Sequence, residues 1–178
     1  MRDPYRIDAP TVGDINDLAL EPLEDSGADD DHDCLGLLPI NRHSPLRHRR
    51  AAESLGRCFQ KEFRYDFPPY TAGERTDSRD TVYLFVELDP GDTGCRATGA
   101  VGFRWRQWAN SPHGYGLAWA WTHPYRRRQG MLASAWSVFK SRFGDFAVEG
   151  PLSPAMVGFL RKVDPQKLPH FGSAVAGS

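Results

Sequence analysis

From Cys34 to Val163 the chain alternates short apolar runs with stretches whose apolar residues recur every three or four positions. CLGLLPI (34–40) is a continuous apolar run of strand length. In HSPLRHRRAAESLGRCFQKEF, Leu46, Ala51, Leu55, Phe59 and Phe63 return at helical spacing. Ser44 is the expected cap of that helix and Pro45 its first residue. The helix must stop before Phe67-Pro68-Pro69, because neither proline can donate to a continuing turn. TVYLFVEL (81–88), RATGAVGFRWRQW (96–108) and YGLAWAWT (115–122) are rich in strand formers. Turn-forming Gly, Pro, Asp and Asn separate them, which predicts an antiparallel meander. In the second of these, Val101, Phe103 and Trp105 alternate with Gly102, Arg104 and Arg106, as in a strand with one wet face. GMLASAWSVFKSRFG (130–144) then sets Met131, Leu132, Ala135, Trp136, Phe139 and Phe143 on one helical face, with Gly144 as the terminating residue. DFAVEGPLS predicts a strand and PAMVGFLRKV (154–163) a short helix opened by proline. The predicted order is β-α-β-β-β-α-β-α.

Charge divides the chain further. Ile7 to Asn41 contains no Lys or Arg and holds the acidic run Asp29, Asp30, Asp31 and Asp33. Residues 1–33 therefore form an expected flexible acidic extension, and 34–178 the expected domain. From Arg42 to Arg64 the balance reverses, with Arg42, Arg47, Arg49, Arg50, Arg57, Lys61 and Arg64 against Glu53 and Glu62. The net charge of −1 gives no global field toward nucleic acid or membrane. Three scattered cysteines argue against a disulfide framework, and Cys34, His43, His48 and Cys58 match no common zinc spacing, so no metal is expected. With no apolar run of bilayer length, the expectation is a cytoplasmic protein with no membrane partner.

The most informative stretch is HPYRRRQGML (123–132), at a strand-to-helix junction. A helix start presents N–H groups without intrahelical acceptors and a positive dipole end. Gly130 lets the backbone approach a ligand closely there, so the loop suits a pyrophosphate. Arg126, Arg127 and Arg128 read either as added charge at the rim of such a site or as a solvated basic turn.

Thr122-His123-Pro124 followed by Arg127-Arg128-Gln129-Gly130-Met131-Leu132 resembles the acyl-CoA loop of the GCN5-related N-acetyltransferases, the GNAT superfamily. The family signature is Arg/Gln-x-x-Gly-x-Gly/Ala, and Leu132 departs from it at the last position. The resemblance spans roughly Cys34 to Val163 and is strongest from Tyr115 to Lys162; the segment from Arg126 to Lys162 also looks a little like the cohesin-type lysine acetyltransferases. It implies an α/β (α+β) fold with a mixed, mostly antiparallel sheet flanked by helices and splayed at the acyl-CoA site. It implies acetyl-CoA as co-substrate and acetyl transfer to a primary amine, on a small molecule or a protein, by direct attack. Main chain at Ala120, Trp121 and Thr122 would hold the pantetheine arm. Arg127, Arg128, Gln129, Gly130, Met131 and Leu132 would hold the phosphates. The family's usual acid is a tyrosine in the last helix; Phe159 stands near that place, which leaves Ser153 or water as the acid. Glu149 is the candidate base, with Glu87 and His123 as weaker options. Members carry two further strands after that helix; here either the acidic arm supplies a strand, the sheet ends short, or a homodimer completes it. Trp119 and Trp121 share a face, as core or as the wall of an acceptor cleft.

Two other function classes fit parts of the sequence. One is a nucleic-acid-binding module that uses the arginines and the stacking surface of FRWRQW; the near-neutral total charge speaks against it. The other is a fold-mate that binds CoA without catalysis.

Overall fold

The computed structural model describes residues 7–23, 34–73, 78–89, 94–108 and 112–168. Six strands form one sheet in the order β2-β3-β4-β5-β6, with β1 paired to β4. They are β1 (Thr11–Asp14), β2 (Cys34–Ile40), β3 (Thr81–Leu88), β4 (Gly94–Arg106), β5 (Gly114–Thr122) and β6 (Ala147–Val148). Every pairing is antiparallel except β5 with β6. Three helices flank the sheet: α1 (Leu46–Phe63), α2 (Met131–Phe143) and α3 (Pro154–Val163).

The central strands are apolar on both faces because both faces are covered. Val82, Leu84 and Val86 of β3 join Ala51, Ala52 and Leu55 of α1 in one core. Tyr83 and Phe85, one residue out of step, join Met131, Ala135, Trp136 and Phe139 of α2 and Leu160 of α3 in the other. The expected wet face of β4 is restricted to its end. Gly102 is buried beneath the Trp119 indole, which a side chain at 102 would strike, and Arg104 and Arg106 reach internal acceptors.

Some local expectations change. Pro45 is the N-cap of α1, and no side chain caps it. Ser44 instead accepts from Asn41 N at 3.0 Å, because its hydroxyl is used in the turn before the helix. The strand expected over DFAVEGPLS shortens to two residues, since Pro151 has no N–H to continue the pairing. The described part of 1–33 is not all extension. β1 occupies the edge of β4 beyond the end of β5, Val12 is fully buried, and Glu21 bridges to Leu37. The acidic run at 29–33 lies outside the described residues. No helix of the described residues is long and apolar enough to cross a membrane.

Candidate active site

β5 and β6 pair only at Gly116–Ala147 and Leu117–Val148, followed by one hydrogen bond from Glu149 N to Leu117 O. Beyond that point β5 continues for five residues, Ala118–Thr122, while the other chain turns away at Gly150-Pro151. A register shift against β4 makes Ala118 an additional residue on β5 at the place where the two strands part. A cleft of about 640 Å³ opens in the wedge. All nine residues expected to hold the acyl donor line it: Ala120, Trp121, Thr122, Arg127, Arg128, Gln129, Gly130, Met131 and Leu132. So does Ser153.

The loop between β5 and α2 has the local geometry its sequence suggests. Pro124–Arg126 form a short 3-10 turn, and Gly130 caps α2 at φ 76°. Arg128 also takes a left-handed conformation, at φ 65°. The first backbone N–H of the helix region with an acceptor is that of Ser134, bonded to Gly130 O at 3.0 Å. The N–H groups from Arg128 to Ala133 have no acceptor among the described residues. Six successive donors at a helix start make an anion cradle, so the loop fits a diphosphate. The Leu132 side chain rests partly buried against the core below α2.

The three arginines have separate fates. Arg126 lines the cleft but is paired: its guanidinium lies 2.9 Å from the carboxylate of Glu87, which is 1 % exposed. Glu87 also accepts from Thr98 Oγ1 at 2.9 Å and has Arg96 at 3.6 Å. A buried carboxylate in a charged sheet position draws in the nearest arginine. Arg127 donates through Nε to Thr122 O and through Nη2 to Glu62 at 2.6 Å. Arg128 is exposed and has no ion pair among the described residues.

Glu62 is a cleft residue that the sequence did not mark. It closes α1, and its Oε2 also accepts from Trp121 Nε1 at 2.8 Å. Burial pushes this carboxyl up, but hydrogen bonds from Arg127 and Trp121 outweigh it and hold the group below its ordinary value.

The two candidate catalytic groups stand differently. Ser153 caps α3 by accepting from Met156 N at 3.2 Å, and a hydroxyl that accepts still has its proton to donate. Glu149 has a charged partner. Arg106 grips it bidentately at 2.7 and 2.6 Å, and the pair holds the guanidinium above its ordinary value. Glu149 lies over Gly116, where any side chain would collide with the carboxylate. It lines a second hollow of about 60 Å³ with Phe59, Phe63, Tyr65 and Trp119. Phe63, Ala120, Ser153 and Met156 belong to both spaces, so the hollow and the cleft adjoin. Trp119 and Trp121 are at once buried core and wall. His123 does not face open solvent: its Nε2 lies 2.9 Å from Ile7 O.

Three side chains of FRWRQW have partners within the chain. Arg104 donates to Pro69 O, Arg106 to Glu149, and Trp105 stands edge-on to Tyr115 under Arg79. Among the described residues no three His, Cys, Asp or Glu side chains are grouped to hold a metal.

No family model matches the chain, and no curated protein does. Solved structures do. The xEco2 acetyltransferase domain bound to a CoA conjugate matches at 16 % identity with a TM-score of 0.50, over 69 % of this chain and 83 % of that one. The same domain in another structure matches at 15 % identity with a TM-score of 0.49, over 69 % and 81 %. A mostly antiparallel sheet, three flanking helices, a parted β5–β6 pair and this likeness together give the chain the GNAT-type acetyltransferase fold.

Proposed function

We propose that the chain is an N-acetyltransferase that moves an acetyl group from acetyl-CoA to a primary amine. The observation that carries this is the row of six acceptor-free N–H groups at the start of α2, opening into the cleft where β5 and β6 part. Bound there, acetyl-CoA supplies an acyl group activated as a thioester. Arg128 to Ala133 hold the diphosphate through main chain, and the free edge of β5 at Ala120–Thr122 orients the amide-bearing arm.

The adjoining hollow admits the amine. Aromatic rings of Phe59, Phe63, Tyr65 and Trp119 exclude water from it, and Glu149 lies on its wall. Each Glu149 oxygen accepts one hydrogen bond from Arg106 and keeps a further lone pair. Glu149 takes the ammonium proton, directly or through water, and Ser153 gives a proton to the departing sulfur. The neutral amine then attacks the thioester carbon, so a C–N bond forms and the C–S bond breaks; the second proton shed by the nitrogen restores the Ser153 hydroxyl, and Glu149 returns its proton to solvent, leaving amide, free thiol and one released proton.

Calorimetry with acetyl-CoA and with CoA tests the reading: both bind, and absence of heat from either at near-millimolar concentration overturns it. A second reading, binding without turnover, draws on the Arg106 grip, which occupies one lone pair of each Glu149 oxygen. Glu149→Gln separates the two. On the catalytic reading turnover falls at least about 100-fold, the usual contribution of a positioned base. Turnover equal to wild type removes Glu149 from that role.

A further inference from the structure

Glu62 is the one acidic side chain lining the large cleft among the described residues. It reaches across from the last turn of α1 to the loop on the far side, and a single oxygen, Oε2, takes both hydrogen bonds. The result is a folded-back Arg127, tied to Glu62 and to Thr122 O at the end of β5. Arg126 is engaged with Glu87. An incoming diphosphate therefore meets six main-chain donors and Arg128, with Arg127 already occupied by a carboxylate.

We propose that Glu62 is a specificity-determining residue that stands in for the ligand's phosphate, holding Arg127 until a diphosphate displaces it. This rests on the acyl-CoA reading of the cleft. A half-exposed carboxylate–guanidinium pair is weakly held in water, and a diphosphate offers a bidentate partner of higher charge. A neutral thioester lacking the diphosphate offers Arg127 nothing and leaves the pair closed. The exchange also reaches the acceptor side, because Phe63, the next residue of α1, lines both the cleft and the aromatic hollow. Loss of the Glu62 contact frees that helix end only when the correct donor has bound. In this way one ion pair selects acyl donors that carry phosphate and couples their arrival to the amine pocket.

The experiment compares the full wild-type chain with Glu62→Gln by calorimetry, using CoA and pantetheine. The substitution is expected to tighten CoA binding about fivefold, the scale of one exposed ion pair, and to leave pantetheine affinity unchanged. CoA binding that is equal or weaker in the variant overturns the proposal while the acyl-CoA reading stands. Tightening of both ligands alike overturns it too, since charge exchange then plays no part. Absence of CoA binding in the wild type overturns both readings. The wild-type chain gives an independent readout: CoA, and not pantetheine, shifts the Arg127 guanidinium N–H resonances as phosphate replaces the Glu62 carboxylate. Guanidinium resonances unmoved by saturating CoA overturn the proposal.

Discussion

Ser153 holds two jobs in one oxygen. Its lone pair caps α3, and its proton is the one proposed for the leaving sulfur. The jobs separate by substitution, because Asp caps a helix as well as Ser and has no hydroxyl to donate. Ser153→Asp should unfold within about 0.5 kcal/mol of wild type in urea, with kcat lowered roughly 100-fold. Ser153→Ala should lose about 1 kcal/mol as well. A Ser153→Asp enzyme with wild-type kcat would remove the hydroxyl from the chemistry. Gly130 is single-minded by comparison: at φ 76° it needs the freedom that only glycine has without strain.

At the scale of elements, the loop after β5 is held from below by a buried charge. Glu87 on β3 fixes Arg126, the first arginine of the run, so the rest of the loop starts from a fixed point. Glu87→Gln should lower stability by about 3 kcal/mol, toward the smaller end for a broken buried pair because both guanidiniums are partly exposed. It should also raise KM for acetyl-CoA more than it lowers kcat; an unchanged KM would show that the loop keeps its place without this anchor. Strands β2 to β5, both long helices and the glycine-ended loop before α2 were legible in the sequence because their chemistry is contiguous: Pro124, Gly130 and the face from Met131 to Phe143 lie within one short window. The fates of the arginines were not. Arg127 meets Glu62 across 65 positions and Arg106 meets Glu149 across 43, and local pattern carries no record of such pairings. A strand from the acidic arm was one of the expectations, but its place was not legible for another reason: four residues with one buried side chain leave too little alternation to detect.

For the molecule as a whole, acid sensitivity follows from four groups. Ala72 N–H and Arg57 hold Glu53 below its ordinary value. Glu62 and Asp164 are also held low; their hydrogen-bond donors outweigh burial, which acts the other way. Each carboxylate adds stability that is present above about pH 4, the ordinary value, and is lost as pH falls through the folded one. His48 is lowered chiefly by burial. Below about pH 6.5 the unfolded chain gains a proton there that the folded chain resists. Urea midpoints should therefore be level at neutral pH, decline gently below about 6.5 and steeply below about 4. A midpoint that rises between pH 7 and 5 would contradict this.

Because β1 lies end to end with β5 along β4, residues 7–14 shield main-chain groups that no other strand of the described residues pairs with. Ala97 N donates to Pro10 O, and Gly94 to Arg96 are partnered by Thr11 to Asp14. A chain shortened to start at Ile15 would bare this stretch, an adhesive border on which foreign strands can zip. Such a chain should self-associate in light scattering while the longer form stays monodisperse, which makes those opening residues a built-in guard against clumping.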